Sequence, residues 1–318
     1  MEQRALGRSG IDVSRVILGC GNFGGIGSSP AFFGAGETES EAHALLDAAW
    51  AAGITTFDTA DAYGGGRSET YIGNWLRTKG SAVRDRAVLT TKTFNPMQEG
   101  ADSGLSAPRI RRQLESSLRR LGLEAVELYL AHEADPATPL EETIGVVAEL
   151  QREGKLRAFG GSNVDTDWVE EALGHGRIEW VQNSYSLLER GDEADLLAVC
   201  VHEELGYTPF SPLAGGWLTG KYRRGEAPPE GSRMTLRPGP YEHLRSDRTF
   251  DALEAFEEHA RERGTSSAAL ALAWALSVPE VTAVVIGPRR PEQLQPALDA
   301  LDLELPPLER ETIGAFFA

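Results

Sequence analysis

Short apolar runs rich in β-branched residues recur along the chain, with longer polar and apolar stretches between them. Each run is as short and as continuously apolar as the strands of a parallel sheet, which are buried on both faces. The pattern predicts eight such strands, over residues 15–19, 54–59, 87–92, 125–132, 156–162, 179–185, 206–211 and 281–287.

The stretches between these runs carry apolar residues at helical spacing, and two of them also carry N-terminal cap signals. In residues 38–53, Thr38 and Glu41 stand at the spacing of a capping box. In residues 138–154, Thr138 is expected to be the N-cap, with a proline directly after it at the first helical position. Further helices are predicted over residues 68–79, 108–121, 166–173, 192–204, 251–263, 266–277 and 291–300.

This alternation of strands and helices predicts a mostly parallel sheet, because parallel strands need a crossover connection. Eight units in 318 residues fit a closed (β/α)8 TIM barrel, formed as one domain over residues 1–318, better than an open doubly wound sheet. Residues 3–19 add an N-terminal β-hairpin that turns around "RSGID". Residues 24–37 and 222–248 lack periodicity and are predicted to be long active-site loops.

Composition and charge exclude several classes of protein. With 41% hydrophobic and 25% charged residues, the chain resembles an ordinary globular domain. Its formal net charge of −17 argues against nucleic-acid binding, because phosphates require clustered basic residues. No apolar run reaches the roughly 20 residues that cross a bilayer, so no membrane partner is expected. Two cysteines and no signal-peptide pattern favour a cytoplasmic location, without disulfides or a metal cluster.

Polar side chains follow almost every predicted strand, at the end where the active site of such a barrel is built. Taken singly, each has an ordinary explanation: Asp58 as a turn residue, Tyr63 as packing, His132 as a core histidine. Together, at one end of a barrel, they predict an active site. The strand-end residues are Gly21, Asn22, Asp58, Tyr63, Lys92, His132, Ser162, Asn163, Gln182, Asn183, Phe210, Ser211, Arg289 and Arg290.

Seven sequence blocks, in order over nearly the whole chain, resemble those of the aldo-keto reductase superfamily. The blocks are "GITTFDTADAYGGGRSETYIG", "LTTKT", "LYLAH", "GGSN", "VQNSYS", "FSPLAGGWLTGKY" and "IGPRRPEQL". The resemblance implies a (β/α)8 barrel and NADPH-dependent reduction of an aldehyde or ketone to the alcohol. No Gly-x-Gly-x-x-Gly fingerprint follows a strand, which disfavours a Rossmann dehydrogenase. The strand ends also lack the paired carboxylates or metal ligands of a hydrolase.

By this resemblance the catalytic tetrad is Asp58, Tyr63, Lys92 and His132. Tyr63 is expected to donate a proton to the carbonyl oxygen, on which negative charge develops as hydride reaches carbon. Because an unperturbed tyrosine has a pKa of about 10, Lys92 is expected to lower that pKa, and Asp58 to hold the ammonium group. His132 is expected to orient the carbonyl and to donate a hydrogen bond to its oxygen.

The same resemblance implies a site for NADPH/NADP. Its basic pair, Arg289 and Arg290, suits the 2′-phosphate by charge and bidentate geometry. Ala297 stands where the family has an asparagine, so one expected adenine contact is missing. The expected contacts are Gly21, Asn22 and Phe23 after the first strand; Ser162, Asn163 and Gln182 for the carboxamide; Phe210 against the nicotinamide ring; Ser211, Leu213, Gly215, Leu218 and Lys221 for the pyrophosphate; and Gly287, Arg289, Arg290 and Gln293 near the adenosine.

Several questions stay open at the level of sequence. Arg233, Arg237 and Arg245 fit an anionic substrate, but solvated loop charges are the favoured interpretation. Asp61 has no assigned role and is expected to be a loop residue. A second function is kept beside the reductase: a cofactor-binding regulatory or interaction subunit with slow turnover. The sequence does not determine the physiological carbonyl, the preferred direction or the oligomeric state.

Overall fold

The eight apolar runs form the strands of one parallel sheet in the computed structural model, which describes residues 1–318. An antiparallel hairpin precedes the sheet. The hairpin strands are β1 (Gln3–Ala5) and β2 (Asp12–Ser14); the sheet strands are β3 (Val16–Gly19), β4 (Thr56–Asp58), β5 (Val88–Thr93), β6 (Val126–Ala131), β7 (Leu156–Ser162), β8 (Trp180–Gln182), β9 (Gly206–Tyr207) and β10 (Val284–Ile286). All eight predicted strands and the hairpin are confirmed.

The sheet curls until its two outer strands meet. Its order is β10-β3-β4-β5-β6-β7-β8-β9. Beyond β9, the Thr282 amide donates to the Tyr207 carbonyl and the Val285 amide to the Pro209 carbonyl, both at 2.8 Å. Phe210 also forms a parallel bridge with Val285. These contacts complete the (β/α)8 barrel that the alternating pattern predicts.

The N-terminal hairpin closes one end of this barrel. Its side chains Leu6, Ile11 and Val13 are buried in a ten-residue apolar core inside the barrel. The hairpin turn is also tied to the segment that enters β9, because the Arg8 amide donates to the Glu204 carbonyl at 3.0 Å. This hairpin, the plug of the barrel, therefore lies at the N-terminal ends of the strands. The opposite end stays open for an active site.

Helices connect successive strands and cover the outside of the barrel. They are α1 (Glu39–Ala51), α2 (Arg67–Lys79), α3 (Ser81–Arg84), α4 (Ala107–Leu121), α5 (Leu140–Arg152), α6 (Thr166–His175), α7 (Leu196–His202), α8 (Arg233–Leu236), α9 (Asp247–Glu262), α10 (Ser267–Ser277), α11 (Gln295–Leu301) and α12 (Pro307–Ala315). Helix α9 begins before the predicted residue 251, and the predicted helix 291–300 divides into a 3-10 turn, Pro291–Leu294, and α11. The sequence pattern did not predict α12, although its proline at the first position is a usual start signal.

One of the two predicted caps is confirmed and the other is wrong. At α1, the Glu41 amide donates to the Thr38 hydroxyl and the Thr38 amide donates to the Glu41 carboxylate, which completes a capping box. At α5 the N-cap is Pro139. The Thr138 hydroxyl instead donates to the Asp135 carboxylate at 2.7 Å. A nearby carboxylate therefore takes the hydroxyl that the helix would otherwise use.

Two long loops lie at the open end of the barrel. The first mouth loop, residues 24–37, contains a 3-10 turn at Pro30–Phe32. The second mouth loop, residues 222–248, contains α8 and a further 3-10 turn, Gly239–Leu244. Short helical pieces of this kind have no amphipathic period, so the sequence could show only that the loops are long.

A large apolar core fills the space between the sheet and its helices. Helix α10 belongs to this core and is buried over residues 268–276. At 11 residues it is a core helix rather than a membrane span. None of the helices combines the length and the apolar character that crossing a bilayer requires.

Candidate active site

The turn that follows β4 carries Tyr63 to the open end of the barrel. Tyr63 begins a 3-10 turn that ends at Gly65, and Gly64 has a left-handed φ of 59°. A Cβ at Gly64 would lie 2.7 Å from the Phe23 carbonyl oxygen, so only glycine fits there. Gly21, at the end of β3, packs against the Tyr63 ring, since a Cβ there would lie 3.6 Å from it.

The four residues of the expected tetrad converge at this position. The Lys92 ammonium nitrogen lies 2.5 Å from Asp58 Oδ1, 3.0 Å from the Thr59 carbonyl oxygen and 3.4 Å from the Tyr63 hydroxyl. Lys92 is 1% exposed and Asp58 is 3% exposed. A buried ammonium group therefore bridges a carboxylate and a phenol.

His132 approaches the same phenol from the end of β6. Its Nε2 lies 3.4 Å from the Tyr63 hydroxyl oxygen, and the two rings meet edge to face. The Asn163 side chain donates to the His132 carbonyl at 2.9 Å and so ties the ends of β6 and β7 together. The ring nitrogen Nδ1 of His132 is buried and has no hydrogen-bond partner. The only polar contact of the imidazole thus points to Tyr63.

Burial and neighbouring charges set the protonation states of this group. Burial raises the pKa of Tyr63, and the Lys92 charge only partly opposes that rise. The expected lowering of the tyrosine pKa by Lys92 is therefore present, but burial outweighs it. Burial alone would lower the pKa of Lys92, yet the charges of Asp58 and Tyr63 raise it above its usual value. Burial, and then Lys92, hold the pKa of His132 well below its usual range.

At neutral pH the free protein therefore has a neutral phenol, a charged ammonium and a neutral imidazole. Tyr63 keeps its proton, and Lys92 keeps the charge that can stabilise a tyrosinate once that proton leaves. His132 can act as a hydrogen-bond donor or acceptor without carrying charge.

The three residues expected at the carboxamide lie beside the tetrad. Ser162 and Gln182 are buried, and the Asn163 side chain donates to the Ser162 hydroxyl at 3.2 Å. Asn163 has a left-handed φ of 53°, a conformation found often at functional sites. The Gln182 amide donates to Asp58 Oδ2 at 2.9 Å, so both carboxylate oxygens of Asp58 are bound. Sequence reasoning did not anticipate this support of Asp58.

The segment after β9 forms a tight turn with several left-handed residues. Ser211 and Ala214 have φ of 54° and 45°, and Gly215 and Gly216 continue with 63° and 95°. The Ala214 and Gly216 amides donate to the Ser211 and Leu213 carbonyls, both at 2.8 Å, and other amides of a turn of this kind can form a concave anion site. The Ser211 hydroxyl bonds the Tyr241 hydroxyl at 3.1 Å. Tyr241, from the second mouth loop, was missed because nothing in that loop's sequence marks it.

Two cations stand at this turn without a carboxylate partner. Lys221 packs its ammonium group against Gly216. Arg233, half-buried on α8, donates to the Asn22 side-chain oxygen at 3.2 Å. Partial burial, and then the nearby Arg233 charge, lower the pKa of Lys221. Two unpaired cations that close together indicate a place for an anion.

The apolar residues among the expected cofactor contacts differ in how deeply their side chains are buried. Phe23 and Leu218 are buried in the main core, so only their backbones face the mouth region. Leu213 is partly buried against that core. Phe210 lies over the core inside the barrel with part of its ring exposed. Among these four, Phe210 alone presents an aromatic surface at the mouth.

The two arginines of the basic pair after β10 differ in their side-chain contacts. The Arg289 guanidinium forms an ion pair with Glu37 and donates to the Gly231 carbonyl at 3.2 Å. Arg290 is exposed and its side chain has no partner. The Gln293 side-chain oxygen accepts from the backbone amides of both arginines, at 2.7 Å and 3.3 Å. Gly287 is exposed at the end of β10, with a would-be Cβ 4.0 Å from the Asn22 side chain.

The interpretation of Arg233, Arg237 and Arg245 as solvated loop charges is wrong for the first two. Arg233 is half-buried on Asn22, and Arg237 donates to the Ile26 carbonyl at 3.3 Å and lies over the Phe32 ring. Arg237 therefore joins the second mouth loop to the first, and Arg233 joins it to the segment that follows β3. Arg245, the third of these residues, is exposed, as expected. Contacts between segments so far apart in sequence leave no local signal.

Asp61 lies in the turn that follows β4, as expected for a loop residue, but the sequence did not predict its burial. Asp61 is completely buried, and its carboxylate accepts from the Thr93 hydroxyl at 2.6 Å. The Arg109 guanidinium donates to the same hydroxyl at 2.8 Å. Burial, helped by the Glu69 charge, raises the pKa of Asp61 to about 7. Asp61 therefore packs behind the tetrad rather than in solvent.

These features fit a phosphate-bearing cofactor such as a nicotinamide dinucleotide better than a metal ion. The left-handed turn at residues 211–216 and the unpaired Lys221 and Arg233 suit a diphosphate, which needs amides and cations together. Phe210, directly before this turn, has a partly exposed aromatic ring. No group of three or more His, Cys, Asp or Glu side chains could hold a metal ion.

Comparisons with known proteins agree with this geometry. The model of the Aldo/keto reductase family matches residues 15–316. A protein named uncharacterized oxidoreductase YrpG, from Bacillus subtilis (strain 168), is 36% identical, over 96% of this chain and 92% of that protein. The L-glyceraldehyde 3-phosphate reductase of Escherichia coli (strain K12) is 35% identical, over 95% and 88%. The solved structure of the glycerol dehydrogenase AKR11B4 from Gluconobacter oxydans matches with a TM-score of 0.83 at 26% identity, covering 99% of this chain and 94% of that one.

Relatives at similar identity have names that differ in function. An NADH-specific methylglyoxal reductase of Escherichia coli (strain K12) is 32% identical, over 96% of this chain and 95% of that protein. A probable voltage-gated potassium channel subunit beta of Oryza sativa subsp. japonica is 34% identical, over 98% and 94%. Similarity of this degree therefore gives neither the substrate nor the cofactor preference.

Proposed function

This chain belongs to the aldo/keto reductase family, and we propose that it reduces an aldehyde or ketone to the alcohol by hydride transfer from NADPH, with Tyr63 as general acid. The observation that carries the proposal is the position of one phenol. The Tyr63 hydroxyl lies 3.4 Å from both Lys92 Nζ and His132 Nε2. A proton donor, a cation and a neutral imidazole thus surround one point at the mouth of the barrel.

The proton on Tyr63 is the one that the product alcohol would receive. As a carbonyl is reduced, negative charge grows on its oxygen, and a donor aimed at that oxygen lowers the barrier. Burial keeps the pKa of Tyr63 above its usual value, so the phenol is protonated when substrate arrives. The proton moves only when the developing alkoxide, a far stronger base than water, accepts it.

Lys92 stabilises the tyrosinate that remains after proton transfer. Its ammonium group is buried and already charged, because Asp58 and Tyr63 raise its pKa. Asp58 fixes that ammonium group, and Gln182 binds the other oxygen of the carboxylate. The positive charge therefore needs no reorganisation during the reaction, which is the condition for electrostatic stabilisation of a transition state.

His132 is proposed to hold the carbonyl oxygen beside Tyr63. We assign the imidazole proton to Nε2, because this leaves a lone pair rather than an N–H unpartnered at the buried Nδ1. In that tautomer, both the Nε2–H group of His132 and the hydroxyl of Tyr63 can donate a hydrogen bond to a carbonyl oxygen placed between them. Since the pKa of His132 is depressed, the ring would orient the substrate without acting as the acid.

The cofactor, when bound, supplies the hydride. Ser162, Asn163 and Gln182 would hold its carboxamide, with Phe210 against the ring. The turn at residues 211–216 would hold its pyrophosphate together with Lys221. Arg290, whose side chain is free, supports a preference for the 2′-phosphate of NADPH.

Small aldehydes are the substrates best supported by the comparisons. Two relatives are named as reductases of small aldehydes, glyceraldehyde 3-phosphate and methylglyoxal. We therefore propose a short-chain aldehyde or α-oxoaldehyde as the first substrates to examine. Alcohol oxidation remains the reverse reaction of the same site, as the name of the structural relative indicates.

A second candidate is a cofactor-binding regulatory subunit, favoured by one observation. The channel-subunit relative is about as similar to this chain as the reductases are. Such a protein would keep the tetrad and bind cofactor, but would turn over slowly.

The test is a panel of aldehydes, ketones and keto sugars, with oxidation of NADPH followed by absorbance in the wild type and in Tyr63→Phe. We expect turnover with at least one small aldehyde, lost in the variant, with NADPH binding retained in both. Tight NADPH binding without turnover of any panel member would favour the regulatory subunit. Equal turnover in the wild type and in Tyr63→Phe would refute the assigned acid.

A further inference from the structure

Glu37 is a buried carboxylate at the last residue of the first mouth loop. Its side chain is 5% exposed, and its Oε1 pairs with Nε of Arg289. Its other oxygen, Oε2, is buried without any partner. Its backbone is fixed as well, because its amide donates to the Asn22 carbonyl at 2.9 Å and its carbonyl accepts from the Gly24 amide at 2.8 Å. The carboxylate is therefore held beside Arg289.

Arg289 is correspondingly occupied. One edge of its guanidinium faces Glu37, and Nη1 donates to the Gly231 carbonyl at 3.2 Å. The neighbouring Arg290 is exposed and makes no side-chain contact. The two members of the basic pair therefore differ: one is neutralised by a carboxylate and one is free.

Charge makes this difference relevant to the cofactor. A 2′-phosphate carries up to two negative charges, whereas a 2′-hydroxyl carries none. A phosphate that approaches Arg289 must share the guanidinium with Glu37 and lies within a few ångströms of that carboxylate. Burial weakens screening of such a repulsion by salt and water. A hydroxyl at the same place meets no comparable opposition.

We propose that Glu37 limits the preference of this chain for NADPH over NADH, by pairing with Arg289 and so weakening the binding of NADPH. The proposal rests on the proposed function, because it assumes that the 2′-position of the cofactor lies at Arg289 and Arg290. Glu37 acts through Arg289 and needs no contact with the reacting atoms. It is thus a specificity residue outside the motifs by which the cofactor site can be found in the sequence.

The experiment compares dissociation constants of NADPH and NADH for the wild type and Glu37→Gln, from titrations of cofactor fluorescence without substrate. Glutamine keeps the shape and a hydrogen-bonding oxygen for Arg289, but removes the charge. We expect NADPH to bind about tenfold more tightly to the variant, as the removal of one nearby unit charge in a partly buried site implies. NADH binding should change by less than about twofold.

Two further variants separate this mechanism from a general charge effect. Glu41→Gln removes an exposed carboxylate from the first turn of α1 and keeps a side chain able to cap this helix. We expect it to leave the ratio of the two constants within about twofold, because exposed charges are screened. In an Arg289→Ala background, Glu37→Gln should lose the part of its effect on NADPH that comes from releasing the guanidinium, and what remains measures direct repulsion by the carboxylate.

Each outcome bears on the proposal. An unchanged or weaker affinity of Glu37→Gln for NADPH, or equal tightening of both cofactors, overturns it. A full effect of Glu37→Gln in the Arg289→Ala background overturns the route through Arg289. If the wild type binds neither cofactor, the proposed function itself fails, which this titration distinguishes from a failure of the role of Glu37. Thermal unfolding by circular dichroism confirms that the variants are folded.

Discussion

Arg15 and Lys92 are both buried cations, and they lie near opposite ends of the barrel. Arg15, just before β3, donates to the carbonyl oxygens of Leu276, Val281 and Thr282 at 2.6–2.7 Å. Burial lowers the pKa of Arg15 to about 10, because neutral carbonyls do not offset the loss of water. Lys92 faces Asp58 and Tyr63 instead, and its pKa is raised despite equal or greater burial.

The contrast separates structural from chemical use of a buried charge. At the plugged end, the cation donates to three backbone carbonyls and forms no ion pair. At the mouth, the cation is shared between a carboxylate and a phenol whose protonation can change. A buried cation therefore indicates chemistry when its partners can gain or lose protons.

The contrast between Arg15 and Lys92 is tested by the largest expected effect, the loss of activity in Lys92→Met. We expect kcat/KM for carbonyl reduction to fall between about 10²-fold and 10⁴-fold, because the tyrosinate would form without its cation. The measurement is steady-state reduction of an aldehyde at saturating NADPH. Residual activity near the wild-type level would show that the ammonium group has no chemical role.

The matching change at the plugged end is Arg15→Met. It leaves three buried carbonyls unpaired, so the free energy of unfolding should fall by about 3 kcal/mol or more. Urea unfolding gives this value, and kcat/KM of the folded variant should stay within about twofold of the wild type. A loss of activity without a loss of stability would make the two cations equivalent and remove the contrast.

A substitution in the hairpin plug should also lower the free energy of unfolding without affecting the site at the mouth. Leu6→Ala empties a fully buried site in the core inside the barrel. We expect a destabilisation of about 2–4 kcal/mol by urea unfolding, because a cavity remains. The dissociation constant of NADPH should not change. Weaker cofactor binding would show that the plug also shapes the mouth.

The smallest expected effect is a pH dependence of stability that tests the burial of Asp61. Its pKa is raised to about 7 in the folded chain, so the folded state binds the proton more tightly than the unfolded state does. Relative to Asp61→Asn, the wild type should lose stability as the pH rises from about 4 to about 7, by up to about 1.4 kcal/mol per pH unit, and then level off. Urea unfolding across this range would contradict the assignment if the difference between the two proteins were constant or of opposite sign.

The sequence predicts the barrel well because strand position depends on local pattern. All eight strands, the hairpin and the capping box at Thr38 follow from short-range signals. The convergence of Asp58, Tyr63, Lys92 and His132 follows from one rule about the ends of barrel strands, together with a resemblance to a family. The roles of these four residues stay predictions.

What the sequence could not show depends on contacts made in three dimensions. Glu37 and Arg289 are 252 positions apart, and neither has a neighbour in sequence that marks the pair. Asp61 reads as a polar turn residue because its burial comes from Thr93 and Arg109. Whether the pKa of Tyr63 is raised or lowered likewise depends on how deeply the phenol is buried, which no motif encodes.

The central claim is that hydride reaches the carbonyl carbon while Tyr63 supplies the proton. The most direct measurement uses NADPH carrying deuterium at both C4 positions, with a reducible aldehyde, and follows deuterium at the carbinol carbon by mass spectrometry. The wild type should place one deuterium in each alcohol formed. Tyr63→Phe should form less than about 1% of that product in the same time, with NADPH affinity within about twofold of the wild type. Alcohol without deuterium from the wild type, or labelled alcohol formed at the wild-type rate by Tyr63→Phe, would contradict the account.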